Sequence, residues 1–440
     1  MTFQRTSLLS ESVKSRLVGH QPRYIAAIGF IYLLFVGSKG TQNTIYFEEW
    51  IKGFVQGNFF SLYHVIPHQG VLETDSLTVP YPPFSLYILG IVAKILIFFG
   101  GEFSSVFLIA SNLTSIIFTL LTALLLAFWG RDRGHMAAVF YLLTPAVFLI
   151  SPILGYQDTI MSFFILAALI AAEKKKYLIV GIAASLAVFT KQLAVMPMFG
   201  LGILILFTTP WRSITKAIFG FSVSTLAILA PFITTGTLVA YFQAQGLASV
   251  HTMMSAQNPN FPWLISVISR INSFGIFNEK SYSALPYQID NQMWRQRIYL
   301  LFAALTIAVI LIYFAHWSNK IGRKNVCPLY MGAIAISAYN LFGFGVHENH
   351  VFMSIPVLFA LANSRINKKI YVAASMALGL NLLATGGLGR SFSNFPLLAI
   401  ENSFAYSSVG ALCLAAYGWA FYELFRSNPA GIPQTQLTSK

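Results

Sequence analysis

Thirteen apolar runs, most of them 14 to 24 residues long, follow one another along this chain, near residues 24–38, 84–99, 105–128, 136–152, 159–172, 177–190, 193–209, 217–236, 298–317, 327–345, 351–363, 370–387 and 404–425. A soluble domain has no core large enough to bury them all. With 56% hydrophobic and only 10% charged residues, and a mean hydropathy of +0.67, the chain is expected to be an all-α polytopic membrane protein. The net charge of +14 belongs to the same picture, because Lys and Arg in such a chain mark cytoplasmic loops rather than a nucleic-acid surface.

The basic residues also decide which runs cross. If all thirteen did, the RDRGH turn at 131–135 and the EKKK turn at 173–176 would both lie outside, against the positive-inside rule. Laying one run flat removes the conflict. The best candidate is Pro82 to Gly101, which opens on a proline pair, carries Lys94 in its middle and closes on a glycine pair, as a surface helix would. About twelve transmembrane helices remain, and 19 of the 28 Lys and Arg then face the cytoplasm while 10 of the 14 acids face outward. Residues 1–22, polar and without the apolar stretch of a signal peptide, are expected to form a cytoplasmic segment, residues 23–426 one transmembrane domain, and residues 427–440 a disordered cytoplasmic tail. Cys327 and Cys413 suggest no disulfide framework.

Two long outer loops result, residues 39–104 and 237–297, and loops of that size are usually functional. Five short polar motifs fall on the same outer edge: FEEW and PYPP in the first loop, GYQD at 155–158, TKQ at 190–192, QNPNFPW at 257–263 and VHENH at 346–350. Ionisable residues at a membrane edge are costly, and an active site is the expected reason for keeping them. In the first loop, Tyr46, Phe47, Trp50, Ile51 and Phe54 recur at helical spacing beside Glu48 and Glu49. Those aromatics serve as interface anchors beside two solvated acids, or one carboxylate is a general base. Asp158 is a helix cap or a site carboxylate. Lys191, a lysine on the outer side, asks for an anionic partner such as a phosphate. His347 and His350 stand at i, i+3 around Glu348 and Asn349, but no third ligand is identifiable, so no metal site is assigned and metal dependence stays open. A phosphate-cradling glycine loop, a GxSxG elbow and zinc patterns are all missing.

In this order, the acidic aromatic helix of the first loop, the YPP segment, GYQD, the KQ pair, SAQNPNFPWLI and VHENH resemble the GT-C superfamily of polytopic glycosyltransferases. Family 87-like bacterial enzymes and the dolichyl-phosphate-glucose glucosyltransferases look most similar, over residues 23 to about 365. The resemblance implies a GT-C-like fold and inverting transfer of a hexose or similar sugar from a polyprenyl-phosphate donor to a lipid-linked or glycan acceptor on the extracytoplasmic side of the plasma membrane. No nucleotide or nucleic acid is implied; membrane lipids, the lipid-linked sugar and the acceptor are the partners. By the same resemblance Gln157, Lys191, Gln192, His347 and Glu348 line the donor phosphate and sugar. Asn43, Tyr81, Asn258, Asn260 and Trp263 lie toward the acceptor, and Glu49, Glu48 and Asp158 are the catalytic candidates. The family usually carries an Asp where this chain has Asn43. An amide accepts no proton at neutral pH, so Glu48 or Glu49 replaces it, another outer carboxylate serves, or the chain is an inactive relative. A transporter or lipid flippase is the reading from another class, although duplicated halves are not evident.

Overall fold

The computed structural model describes residues 21–63, 79–129, 134–247, 253–255, 257–282, 287–289, 291–364, 366–386, 388 and 404–430. Among the described residues every regular element is a helix. In chain order those of nine residues or more are α1 (Gln21–Leu33), α2 (Gln42–Val55), α3 (Pro83–Phe98), α4 (Val106–Trp129), α5 (Gly134–Leu142), α6 (Asp158–Glu173), α7 (Tyr177–Thr190), α8 (Val195–Thr208), α9 (Trp211–Thr234), α10 (Leu238–Leu247), α11 (Phe261–Phe274), α12 (Gln292–Ile321), α13 (Pro328–Phe342), α14 (Ser354–Ser364), α15 (Lys368–Gly386) and α16 (Phe404–Arg426). Glu73, Asp75 and residues 131–133 of the RDRGH turn lie outside the described residues, as do 1–20 and 431–440 of the expected terminal segments.

Among the described residues four helices are long and apolar enough to cross a bilayer: α4, α9, α12 from Met293, and α16. A fifth crossing is formed if Met136–Leu142 and Pro145–Ile153, bent by 62° at their break, count as one. Expecting twelve crossings means counting shorter pieces as well, among them Arg23–Leu33, α7 and Gln192–Thr208, which are apolar but fall below the roughly 20 residues of a full span. Large apolar side chains such as Phe98, Phe128, Leu206, Phe219, Leu301 and Leu412 are exposed, a surface suited to lipid and not to water. The chain is an integral membrane protein.

Inside the helices polar side chains are satisfied locally, as hydrocarbon demands. On α4, Thr114, Thr119 and Thr122 each donate to the carbonyl four residues back, at 2.7 to 2.9 Å. Where α7 crosses α9 the backbones almost touch. A β-carbon on Gly181 would sit 1.9 Å from the Ala217 carbonyl oxygen, and one on Gly220 would sit 2.4 Å from that of Leu178, so small residues set this crossing. A second, aromatic core holds the first loop down. Trp50 and Ile51 of α2, Phe59, Tyr63, and Leu86 and Leu89 of α3 cluster with Phe232 of α9 and Tyr241 of α10, and the Tyr63 and Phe232 rings meet edge to face at 5.0 Å.

Helix lengths fix where the polar motifs lie. Asp158 opens α6 and the run Lys174–Lys176 follows its last residue, so 16 residues, about 24 Å, separate the two. On α16, Tyr406 donates to the Gln257 carbonyl while Arg426 closes the helix, a separation of roughly 30 Å, close to a hydrocarbon core. Motifs and basic turns therefore occupy opposite ends of the helices.

Candidate active site where three helix breaks meet

Each functional segment is a break between helices, and the sequence explains each break. Before GYQD, Pro152 lacks an amide proton and the chain widens into a π-helical turn over Leu149–Ile153. It then turns at Gly155, whose φ is +64°. A β-carbon there would lie 2.1 Å from Oδ1 of Asn112 on α4, so glycine is required both for the angle and for the approach. Asn112 also donates to the carbonyls of Val36 and Ser38, and the Ser38 hydroxyl donates to the Ile153 carbonyl at 2.7 Å. The start of the first loop is thereby tied to the GYQD break. Lys191 is a single extended residue between α7 and the short turn Gln192–Ala194. In VHENH, α13 ends at Phe342 and the chain restarts as a 3₁₀ turn over Glu348–Met353, where the His350 Nδ1 accepts from the His347 amide at 3.1 Å.

The three breaks meet on buried carboxylates. Asp158 is 1% exposed; Lys191 Nζ donates to its two oxygens at 3.1 and 3.3 Å, and Asn349 Nδ2 donates to Oδ2 at 2.7 Å. Beside it the Tyr156 hydroxyl donates to Glu348 Oε1 at 2.7 Å. GYQD and VHENH are therefore cross-linked by two hydrogen bonds, one in each direction. Lys191 Nζ also stands 5.6 Å above the centre of the Tyr81 ring, a cation–π arrangement that brings in the YPP segment. Half-exposed His347 places Nδ1 3.9 Å from Glu348 Oε2. Burial alone would pull the Lys191 ammonium down, but Asp158 foremost, with Tyr81 and Glu348, outweighs it and holds the pKa above the ordinary lysine value. For Glu348 burial dominates, and it pushes the carboxyl up against the opposing hydrogen bond from Tyr156 and the charge of Lys191.

Other residues singled out in the sequence lie around this centre. Gln157 is turned into α4, where Nε2 donates to Ser111 Oγ at 2.8 Å. Gln192 spans from the Pro80 carbonyl at 2.8 Å to Gln245 Oε1 on α10 at 2.6 Å, joining the segment before α3 to α10. Asn258 and Asn260 give their amide groups to the carbonyls of Asn340 and Gly343, each at 3.0 Å, and Asn260 Oδ1 caps α11 at the Trp263 amide. Trp263 is buried against α16 at Gly410. These contacts lay the QNPNFPW segment along the end of α13, and a backbone bridge pairs Gln257 with His347. Position 43 lies in the first turn of α2. Glu49, farther along, is exposed and 3.7 Å from Lys52, while Glu48 is half-buried. Among the described residues no group of three or more His, Cys, Asp or Glu side chains is placed to hold a metal ion.

The sequence matches the family model of glycosyltransferase family 87 over residues 79–338, more than half of the chain. The chain belongs to glycosyltransferase family 87. Among solved structures the family 87 chain is similar to ArnT from Cupriavidus metallidurans bound to undecaprenyl phosphate, at 14% identity and a TM-score of 0.44 over 93% of this chain and 77% of that one. It is also similar to the S. cerevisiae protein O-mannosyltransferase Pmt1-Pmt2 complex bound to the sugar donor, at 18% identity and a TM-score of 0.29 over 55% and 35%. No curated protein matches it.

Two residues of this family 87 site went unmarked in the sequence. Tyr156 precedes the polar pair of GYQD and looks apolar by type; Asn349 sits inside VHENH and reads as a spacer. The usable signal was their place within motifs that otherwise hold only chemistry-bearing residues. What the cluster can do follows from its charges: a fixed ammonium to meet an anion, a carboxylate that keeps it in place, and a second carboxylate with raised proton affinity.

Proposed function

We propose that the protein transfers a hexose or similar sugar from a polyprenyl phosphate to a lipid-linked or glycan acceptor at the extracytoplasmic edge of the membrane, with inversion. The observation that carries this reading is the Asp158–Lys191 pair, buried at a membrane-edge helix break and joined through Asn349 to the VHENH turn. An acidic lipid phosphate becomes a good leaving group when positive and hydrogen-bonding groups meet the charge growing on its oxygen. Lys191 supplies the charge, and Asp158 keeps the ammonium aimed. A lipid donor also suits an enzyme of this kind, since the isoprenoid tail stays in the bilayer while only the phosphosugar reaches the edge. The QNPNFPW segment, lying against His347, would then cover the acceptor side, with both termini in the cytoplasm.

The test is incubation of the purified protein with a panel of polyprenyl-phosphate sugars, following release of polyprenyl phosphate and appearance of a new glycoside. Release that depends on one sugar and one acceptor class supports transfer. Movement of lipid or sugar across liposomes with no glycoside formed would sink it in favour of a flippase.

A further inference from the structure

The family resemblance leaves the proton of the acceptor hydroxyl without an obvious destination, since Asn43 stands where an aspartate is expected. Of the carboxylates near the outer edge, Asp158 has both oxygens engaged by Lys191 and one also by Asn349, so it is held as the permanent counter-charge of the lysine. Glu49 is exposed and beside Lys52, open to water rather than held against the other motifs. Glu348 differs from both. It is buried, one oxygen takes the Tyr156 hydroxyl at 2.7 Å, and the other faces half-exposed His347, whose backbone is bridged to Gln257 of the segment assigned to the acceptor side. The two residues before His347 are met by the stretch that leads into that segment: the Ser255 hydroxyl donates to the Val346 carbonyl at 3.4 Å and the Gly345 amide donates to the Met254 carbonyl at 2.9 Å.

Resting on the transferase reading above, we infer that Glu348 is the general base for the acceptor hydroxyl and that Tyr156 is the positioning residue that orients it. In the step, the acceptor oxygen bonds to the anomeric carbon as that carbon's bond to the phosphate oxygen breaks. The bonding pair leaves with the phosphate, whose charge Lys191 meets, and the hydroxyl proton passes to Glu348, from which it is lost to water after turnover. Location supports the substitution. The first turn of α2, which carries position 43, is anchored to the GYQD break through Ser38 and Ile153, the same break that supplies Tyr156. Glu48 and Glu49 lie a turn and a half beyond it, about 8 to 9 Å along the helix. Burial also raises the proton affinity of Glu348 toward the working range of a base. The titratable groups facing it are Tyr156, Asp158 and Lys191 from the neighbouring breaks, His347 and His350 from its own turn, and Tyr406 from α16.

The test compares turnover, pH profile and binding of polyprenyl phosphate in four variants of the full-length protein. Glu348→Gln keeps an oxygen for Tyr156 and should lower kcat by on the order of 10² to 10⁴-fold while polyprenyl phosphate still binds. Tyr156→Phe removes a hydrogen bond that favours the carboxylate, so the acid limb of the rate profile should move to higher pH, with kcat reduced on the order of tenfold and KM unchanged. Glu48→Gln and Glu49→Gln should keep the rate of the unaltered protein. Persistent turnover in Glu348→Gln, an unmoved acid limb in Tyr156→Phe, or loss of activity in a first-loop variant instead overturns this assignment and leaves transfer standing. Absence of glycoside from the unaltered protein overturns both.

Discussion

Two pairs of carboxylates stand in the polar motifs of this protein, and they differ in almost everything except chemical type. Glu48 and Glu49 ride on a surface helix, Glu49 exposed beside Lys52. Asp158 and Glu348 come from helix breaks 190 residues apart in sequence, are buried, and are bound by Lys191, Asn349 and Tyr156. Of the first pair Glu49 faces water and Glu48 is half-buried, so neither charge is deeply desolvated. Out of water the second pair is costly, and the environment separates its members: one carboxylate is neutralised by a lysine, the other has its proton affinity raised. Residue type marks a candidate, and burial with named partners decides what it can do.

The largest effect that sharpens this contrast is expected at the Asp158–Lys191 pair. Asp158→Asn leaves a buried ammonium without its counter-charge, a change worth roughly 3 to 5 kcal/mol for a buried ion pair. Thermal unfolding in detergent should show a clear drop. Lys191→Ala should cost about 2 to 4 kcal/mol of transition-state stabilisation, by analogy with a lost oxyanion donor. If Asp158→Asn together with Lys191→Met is as damaged as the sum of the singles, the two residues are not one unit and the comparison breaks. Next in size is Gly155→Ala, which places a β-carbon where Asn112 Oδ1 now lies and forces a left-handed angle on alanine. About 1 to 3 kcal/mol of strain is expected, measured as lowered stability and turnover together.

Much of this architecture was readable from the chain because hydrophobic length is a local property: the long helices α4, α9, α12 and α16 fall on expected apolar runs. The breaks were readable too, as proline, glycine and charge between runs. Partnership was not. Lys191, a lysine expected on the outer side, invited a phosphate as its compensation, and the structure supplies Asp158, 33 residues earlier, at 3.1 Å. Nothing local to either residue encodes that contact; it arises because α6 and α7 pack side by side, so that the start of α6 at Asp158 meets the end of α7 at Lys191. Gln157 shows the converse. It sits in the most suggestive motif of the chain yet spends its amide on Ser111, because the turn at Gly155 points it into α4. Counting crossings is the other place where local pattern falls short, since helices such as α7 and α8 are apolar but shorter than a bilayer.

Between the strong and weak ends of the comparison stands Asn349. Its side chain donates to Asp158 Oδ2 at 2.7 Å from a buried position, a charge-assisted bond worth about 1.5 to 3 kcal/mol. Asn349→Leu removes the donor at similar volume, so stability should fall by an amount in that range, and the fall should largely vanish in an Asp158→Asn background. An undiminished loss there would mean Asn349 acts through packing and not through the carboxylate.

The smallest effect should come from the exposed pair. Glu49 and Lys52 are one turn apart on α2, 3.7 Å from each other, with side chains 47% and 41% exposed, so water screens most of their attraction. Exposed pairs contribute about 0 to 1 kcal/mol and less as salt rises. Lys52→Met should therefore change the unfolding temperature little, and raising the ionic strength should erase what difference exists. The same variant also probes function. Its turnover should match that of the unaltered protein, because α2 is held in place by Trp50 and Ile51 in the aromatic core and not by its surface charges. A marked loss of turnover would return the chemistry to the first loop and make the two pairs of carboxylates alike in role as well as in type.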